Sequence, residues 1–234
     1  MSKLYPTELQ AVLFDLDGTL LDTAPDFADV LGQLSDMATI TPPAYADVHK
    51  TVSNGARALV RLTFGIDDQH PRFQEHLDTL LALYAKRIEN TKSRFYPGME
   101  HLLSSMEKQG ILWGVVTNKP TLYSVALLRS MGLLERCAVL ICPDDVTQSK
   151  PHPEPLFLAC SRLGIDAGNA IYVGDHPRDI EAGNAAGMYT IAVTYGYLPP
   201  SPAVEDWGAD LIVDQVAAIG SALQGAQKEP LLQE

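Results

Sequence analysis

The chain is poor in cysteine, in basic residues and in long apolar stretches. Its three cysteines include no CxxC pair and are odd in number, so we expect reduced thiols rather than a disulfide framework. Lys and Arg number 17 against 29 Asp and Glu. The resulting net charge of -12 disfavours nucleic acid as a partner, because phosphate backbones demand basic residues. No run approaches the roughly 18 apolar residues of a membrane span, and the N-terminal segment lacks an apolar signal region. We therefore expect a soluble, cytoplasmic protein that binds neither nucleic acid nor membrane.

Short apolar runs recur along the chain and end in polar residues or glycine. Their lengths suit strands, and their apolar character on both faces is typical of a parallel sheet. The runs are residues 11–15, 111–118, 138–142, 170–175, 189–194 and 210–214. Helical patterns separate most of them, and this alternation predicts an α/β fold with a doubly wound, Rossmann-like parallel sheet.

Residues 24 to about 93 break the alternation, because three helical patterns follow one another without a strand between them. We predict a small α-helical cap domain, residues 23–93, inserted after the first strand, with residues 1–22 and 94–234 forming the core domain. An insertion at this point would lie at the carboxyl end of the sheet, where α/β folds bind ligands. Residues 225–234 are expected to form a loose tail.

Aspartates follow two of the predicted strands. In the stretch FDLDGT, Asp15 and Asp17 are two residues apart and therefore point to the same side of an extended chain. In the stretch VGDHPRD, Asp175 ends a strand and Asp179 lies on the first turn of a helix. Carboxylates on neighbouring strand ends suit a hard divalent cation, and Mg²⁺ is the metal we expect. For Asp179 the alternative is a helix N-terminal charge that the helix dipole favours.

Hydroxyl, amide and cationic side chains at two other strand ends would complete a phosphate site. Thr117 and Asn118 end a strand just before a helix, the usual location of a phosphate cradle. Lys150 precedes Pro151 and Pro153, whose rings stiffen its backbone. A lone lysine is ordinarily a solvated surface charge. The position of Lys150, just before a helix that packs on the same sheet, favours a role in the site instead.

Taken in chain order, these groups resemble the four sequence motifs of the haloacid dehalogenase superfamily of phosphatases. The matching residues are Asp15, Asp17 and Thr19, then Thr117, then Lys150, and finally Gly174, Asp175 and Asp179. The resemblance covers nearly the whole chain, because the predicted helical insertion also falls where that family carries its cap domain. Four motifs at successive strand ends are far more specific than any one of them.

The resemblance implies a Mg²⁺-dependent phosphomonoesterase that forms an aspartyl-phosphate. Asp15 would be the nucleophile, and Asp17 would be the general acid and then the general base. The metal ligands implied are Asp15, Asp17 through its backbone carbonyl, and Asp175. Asp179 would support these ligands without binding the metal.

The resemblance further implies that Thr117, Asn118 and Lys150 hold phosphoryl oxygens and that Thr19 binds substrate. One position departs from the family pattern, because His176 stands where the family commonly has a small hydroxyl residue. It could touch substrate, but we prefer the interpretation that it caps the following helix.

A small helical cap suggests a small phosphorylated metabolite rather than a phosphoprotein. The segments VVTNKP, SNGA and KPHPEPL resemble bacterial phosphoglycolate phosphatases. Others, such as LICPDDV and VGDHPRDIEAG, resemble more closely the N-acetylmuramic acid 6-phosphate phosphatases of cell-wall recycling. Both substrates carry a carboxylate, so a cap cation such as Arg57 or Arg61, near Asn54 and Gly55, is a candidate to bind it. For each arginine the alternative is a solvated helix face.

Three other functions are compatible with parts of this pattern. A phosphohexomutase of the same superfamily would share the aspartyl-phosphate but return the phosphoryl group to the sugar. A response-regulator receiver also clusters aspartates around Mg²⁺, but it would lack the cap and the second aspartate after the nucleophile. A non-catalytic sugar-phosphate-binding protein would not need every motif residue, and all are present here. The expected form is a monomer that acts on a small phosphorylated metabolite.

Overall fold

The structure is a computed structural model that describes residues 5–225; most of the predicted tail lies outside this range. The strands are β1 Ala11–Phe14, β2 Leu21–Asp22, β3 Arg94–Phe95, β4 Leu112–Val116, β5 Val139–Ile141, β6 Ala170–Gly174, β7 Tyr189–Val193 and β8 Leu211–Val213. The α-helices are α1 Ala24–Ala38, α2 Tyr45–Thr51, α3 Gly55–Phe64, α4 Phe73–Ile88, α5 Met99–Lys108, α6 Thr121–Ser130, α7 Glu154–Leu163, α8 Pro177–Ala185 and α9 Val216–Gly225. Within the described range, no helix combines the length and apolar character that crossing a membrane requires.

Six strands form one parallel sheet in the order β5-β4-β1-β6-β7-β8. Val12 and Phe14 of the central strand β1 join one apolar cluster, whereas Ala11 and Leu13 join another, so the strand is buried on both faces. The predicted doubly wound α/β fold is confirmed. After β1 the chain adds β4 and β5 on one side of it and then β6, β7 and β8 on the other. β1 therefore lies where the strand order reverses, and the carboxyl ends of β4, β1 and β6 border one crevice.

Four helices, α1 to α4, follow the first strand with no sheet strand between them, as predicted for the cap. One predicted helical pattern is divided into α2 and α3 by a 3-10 turn at Val52–Asn54. Gly55 has a φ of 80° there, a conformation that interrupts a right-handed helix and that glycine adopts without strain. Helices α1 and α4 pack together, with the rings of Phe27 and Tyr84 stacked 4.3 Å apart.

The two chain connections between the sheet and the cap run side by side. Strands β2 and β3 pair in antiparallel register, with Leu21 opposite Phe95 and Asp22 opposite Arg94. The guanidinium of Arg94 lies 3.0 Å from a carboxylate oxygen of Asp22. This two-stranded ribbon adjoins the predicted domain boundaries, which themselves stay a prediction.

A single buried carboxylate, Asp26 in the first turn of α1, ties these connections to the cap. It accepts hydrogen bonds from Arg87 Nε at 2.9 Å, from the backbone N–H of Lys92 at 2.7 Å and from Ser93 Oγ at 2.6 Å. Thr91 Oγ1 also donates to it. Burial alone would raise the pKa of Asp26, but the donated hydrogen bonds, with those of Ser93 and Thr91 the largest, outweigh burial and lower it.

Replacing Asp26 with alanine should lower the free energy of unfolding by about 3–5 kcal/mol at pH 7, because several buried donors lose their acceptor. The lowered pKa means that this contribution is present above the unfolded value near 3.9 and is lost as the pH falls through the folded value. Urea unfolding of parent and Asp26→Ala at several pH values should therefore show a difference that shrinks in acid. Asp29→Ala is the control, since Asp29 is about one-third exposed and should cost at most about 1 kcal/mol. Equal losses for both variants would contradict this role.

Candidate active site

The carboxyl ends of β1 and β6 bring three buried carboxylates together. Asp15, Asp175 and Asp179 each place one oxygen within 4.8 Å of the others. Glycine permits this crowding at two positions. A Cβ at Gly18, whose φ is 89°, would lie 2.1 Å from an oxygen of Asp175, and a Cβ at Gly174 would lie 2.3 Å from the Cβ of Asp179. The sequence therefore keeps space clear for the carboxylates.

Lys150 provides the buried positive charge beside this cluster. Its Nζ lies 3.0 Å from Asp15 Oδ1 and 2.8 Å from Asp179 Oδ1. It also contacts the backbone carbonyl of Val116 at 2.9 Å and the hydroxyl of Tyr172 at 2.7 Å. Burial opposes the ammonium form, but the carboxylates of Asp15 and Asp179 outweigh it and raise the pKa of Lys150. One ammonium thus faces three carboxylates, which leaves an excess of negative charge.

Asp175 is the carboxyl group of the cluster with which Lys150 forms no ion pair. Its two oxygens accept hydrogen bonds from Thr19 Oγ1 at 3.0 Å and from the backbone N–H of Tyr197 at 2.6 Å. Burial, together with the charges of Asp15 and Asp179, raises the pKa of Asp175 well above its usual range. A divalent cation would supply the missing positive charge, and oxygen-only donors suit a hard cation. The residues present therefore fit the expected metal.

Asp17 lies next to this cluster but turns its side chain toward another lysine. Lys119 Nζ lies 2.8 Å from Asp17 Oδ1 and 3.1 Å from Oδ2, and Thr23 Oγ1 donates to Oδ1 at 2.6 Å. Burial opposes the charge on Lys119, but Asp17 outweighs burial and raises the pKa of the lysine. The side chain of Asp17 is thus not a member of the three-carboxylate cluster, and its contribution to a metal site through the backbone carbonyl stays a prediction.

Sequence reasoning missed Lys119, although it lies in the stretch VVTNKP. It follows Thr117 by two residues, and Thr117 lies directly after β4. Side chains two residues apart in an extended chain point to the same side, so Lys119 is expected on the side of Thr117. That spacing was the available signal, but the sequence could not show that the rings of Phe27 and Tyr84 would enclose the ammonium at 5.1 and 4.7 Å.

A cavity of about 450 Å³ lies between the cap and the carboxyl end of the sheet. This volume falls within the roughly 300–1,000 Å³ typical of small-molecule sites. Its wall contains the predicted residues Asp15, Asp17, Asn54, Gly55, Arg57, Thr117 and Asn118. It also contains the apolar or aromatic side chains of Phe27, Val52, Leu77, Leu81, Tyr84 and Tyr123. The structure therefore unites predicted core and cap residues around one space.

Lys150, Asp175 and Asp179 are buried outside the wall of this cavity, among the residues that hold the carboxylate cluster. Thr19 requires a correction. It has no exposed surface and donates to Asp175, so it orients a carboxylate instead of contacting substrate as expected. Thr19 is not among the residues of the cavity wall, and it follows Gly18, whose φ is 89°.

The two cap arginines share one acidic partner. Arg57 and Arg61 lie 2.8 and 2.6 Å from the carboxylate of Asp68, and about half of each arginine side chain is exposed. Arg57 also belongs to the cavity wall, whereas Arg61 is not among its residues. A role for Arg57 in substrate binding stays a prediction, and its charge is partly offset by Asp68.

His176 caps α8, as preferred from the sequence. Its Nδ1 accepts a hydrogen bond from the backbone N–H of Arg178 at 3.3 Å. The backbone N–H of His176 donates to Asp179 Oδ2 at 3.1 Å. Burial and, to a smaller degree, the positive charge of Arg178 lower the pKa of His176 to about 4. The imidazole is therefore neutral at pH 7, which suits an Nδ1 that accepts.

Known proteins resemble this chain over most of its length. The family model described as haloacid dehalogenase-like hydrolase matches residues 12–193. The N-acetylmuramic acid 6-phosphate phosphatase of Pseudomonas aeruginosa is 47% identical over 206 residues, which cover 88% of this chain and 91% of that protein. The phosphoglycolate phosphatase of Xanthomonas campestris is 38% identical over 209 residues, which cover 88% of this chain and 92% of that protein.

A solved structure agrees with these sequence relationships. The crystal structure of a predicted phosphoglycolate phosphatase from Haemophilus somnus is similar with a TM-score of 0.82 at 26% identity. The match covers 92% of this chain and 98% of that one. The resemblance seen in the four motifs is thereby confirmed. The chain belongs to the haloacid dehalogenase-like hydrolase family and is a phosphatase.

Proposed function

We propose that this phosphatase hydrolyses a small, carboxylate-bearing sugar phosphate, with N-acetylmuramic acid 6-phosphate preferred over 2-phosphoglycolate. The cavity carries this proposal. Its volume of about 450 Å³ and its aromatic wall, which includes Phe27, Tyr84 and Tyr123, suit a substituted sugar ring. A two-carbon acid would leave most of that space empty. The relatives from two Pseudomonas species, at 47% and 43% identity, bear the matching name. Cytoplasmic location and a monomeric state stay predictions.

The chain's own residues suit nucleophilic catalysis. Lys150 and the backbone N–H of Leu16, at 2.7 Å, both hold Oδ1 of Asp15 and so fix the orientation of its carboxylate. An oxygen of Asp15 would attack phosphorus and form an aspartyl-phosphate as the bond to the sugar oxygen breaks. Thr117 and Asn118, both in the cavity wall, would hold phosphoryl oxygens while charge moves during transfer.

The metal proposal concerns the same carboxylates. Asp15, Asp175 and the backbone carbonyl of Asp17 would hold Mg²⁺, and Asp179 would remain engaged by Lys150 and the N–H of His176. When bound, Mg²⁺ would supply positive charge that offsets the repulsion between the aspartates and the substrate phosphate.

Asp17 is proposed to move the protons. It would donate a proton to the leaving sugar oxygen and later accept one from the water that hydrolyses the aspartyl-phosphate. In this structure Lys119 and Thr23 hold its carboxylate at the cavity wall. Proton donation therefore requires Asp17 to release at least one of these contacts and turn toward the leaving oxygen.

Measuring phosphate release from the two candidate substrates tests the substrate assignment. We expect kcat/KM for N-acetylmuramate 6-phosphate to exceed that for 2-phosphoglycolate by at least about tenfold, because the sugar fills the apolar wall. Asp15→Asn is the control and should release no phosphate. A larger kcat/KM for 2-phosphoglycolate would contradict the sugar assignment. Conversion of the sugar phosphate to an isomer without phosphate release would instead identify a phosphohexomutase.

The proton-transfer role predicts a dependence on the leaving group. Asp17→Asn keeps the shape of the side chain but cannot donate a proton, so kcat for the sugar phosphate should fall by about 10²–10⁴-fold. An aryl phosphate with a good leaving group needs less assistance and should suffer a smaller loss in aspartyl-phosphate formation, measured by a rapid-quench burst. Thr23→Ser is a matched control that keeps the hydroxyl beside Asp17. The role would be wrong if Asp17→Asn slowed neither substrate.

The raised pKa of Asp175 predicts how the metal and pH act on stability. In EDTA, stability should decline as the pH rises from about 4 through the raised folded pKa, because the buried carboxylate ionises. Asp175→Asn keeps acceptable hydrogen bonds to Thr19 and Tyr197, and it should be about 1–3 kcal/mol more stable than the parent at pH 8.

Added Mg²⁺ should act against that difference in stability. At about 100 times its dissociation constant it would stabilise the parent by about 2.7 kcal/mol and leave Asp175→Asn nearly unchanged. Urea unfolding measures both effects, and Asp36→Asn, at an exposed position, is the control. A parent protein that is indifferent to millimolar Mg²⁺ would refute the metal assignment.

A further inference from the structure

The cations around the cavity differ in whether a carboxylate already neutralises them. Lys119 is paired with Asp17, and Arg57 is paired with Asp68. Arg178 belongs to the same cavity wall, but among the described residues it has no carboxylate within ion-pair distance. It is therefore the wall cation with charge to offer an incoming anion.

Arg178 reaches from the core to the cap. It is the second residue of α8 and is half-buried, and its Nη2 donates to the backbone carbonyl of Ser53. A neutral carbonyl takes one of the five guanidinium N–H groups and does not neutralise the charge. The hydrogen bond fixes one edge of the guanidinium at the junction of the two parts of the molecule.

A second observation points to a ligand at the same place. The hydroxyl oxygen of Ser53 is buried and finds no hydrogen-bond partner among the residues that the structure describes. Ser53 also belongs to the cavity wall, next to Asn54 along the chain. A buried polar group without a partner is costly, so an occupant that accepts from this hydroxyl would remove a penalty as well as add a contact.

We propose that Arg178 and the Ser53 hydroxyl together bind the substrate carboxylate, so that the contact deciding specificity lies on the core and is completed by the cap. This inference rests on the proposed function and specifies its recognition step. A carboxylate has two oxygens, which match a guanidinium and a neighbouring hydroxyl. A substrate without the carboxylate leaves both groups unsatisfied, and sites of this kind reject such analogues strongly.

The test compares esters that differ in the carboxylate. N-acetylmuramate 6-phosphate and N-acetylglucosamine 6-phosphate form one pair, and 2-phosphoglycolate and ethyl phosphate form another. Arg178→Met should lower kcat/KM for the carboxylate-bearing member by about ten- to a hundredfold, mainly through KM, and lower that for its partner by less than about threefold. Ser53→Ala should change the ratio in the same direction but less. Arg129→Met, on an exposed part of α6, is the matched control.

Binding gives a readout that does not depend on turnover. In an Asp15→Asn background, calorimetry should show the same collapse of the Kd ratio on adding Arg178→Met. Equal losses for both members of a pair would mean that Arg178 only holds the cap against the core, and no loss would exclude it; either result overturns the inference. Collapse of the ratio in Arg57→Met but not in Arg178→Met would also overturn it. If the parent releases phosphate from none of the esters, the proposed function fails, and the Kd ratios still decide the role of Arg178.

Discussion

Mutual repulsion among carboxylates at the carboxyl end of the sheet is the constraint to which much of the core responds. Asp15, Asp175 and Asp179 are buried within a few ångströms of one another, and Lys150 forms ion pairs with Asp15 and Asp179. Burying several carboxylates together lowers the stability of the folded state. Such a cluster suits a protein that must bring a cation and a phosphate, both highly charged, into the same small volume.

The same crowding reaches the cap through Tyr197. Its backbone N–H donates to Asp175 at 2.6 Å, while its hydroxyl donates to Asp22 at 2.8 Å and accepts from the backbone N–H groups of Thr23 and Ala24. One residue thus connects the carboxylate cluster to the segment where the chain enters the cap. A displacement of that segment would also move the carboxylates, because these hydrogen bonds are short and buried.

The cavity divides recognition between two kinds of chemistry. The core side offers carboxylates, a hydroxyl and an amide, all suited to a phosphoryl group and its cation. The cap side offers mainly apolar and aromatic surface, with Phe27 and Tyr84 also enclosing Lys119. Arg178 does not fit this division, because it lies on α8 of the core and donates a hydrogen bond to the backbone carbonyl of Ser53 in the cap. Residues at such a junction can couple recognition of the distant part of a substrate to the position of the cap.

The sequence by itself determined the parallel sheet, the place of the helical insertion and the aspartates at the strand ends. These features are local: apolar runs, helical spacing and residues two or four apart along one chain segment carry them. Tertiary structure decided which charges meet. Lys119 pairs with Asp17, Asp68 pairs with both Arg57 and Arg61, and Arg178 has no carboxylate within ion-pair distance among the described residues. Thr19 donates to Asp175, which is 156 residues away in sequence. Pairings between side chains far apart in sequence depend on the packing of whole elements, which no local pattern encodes.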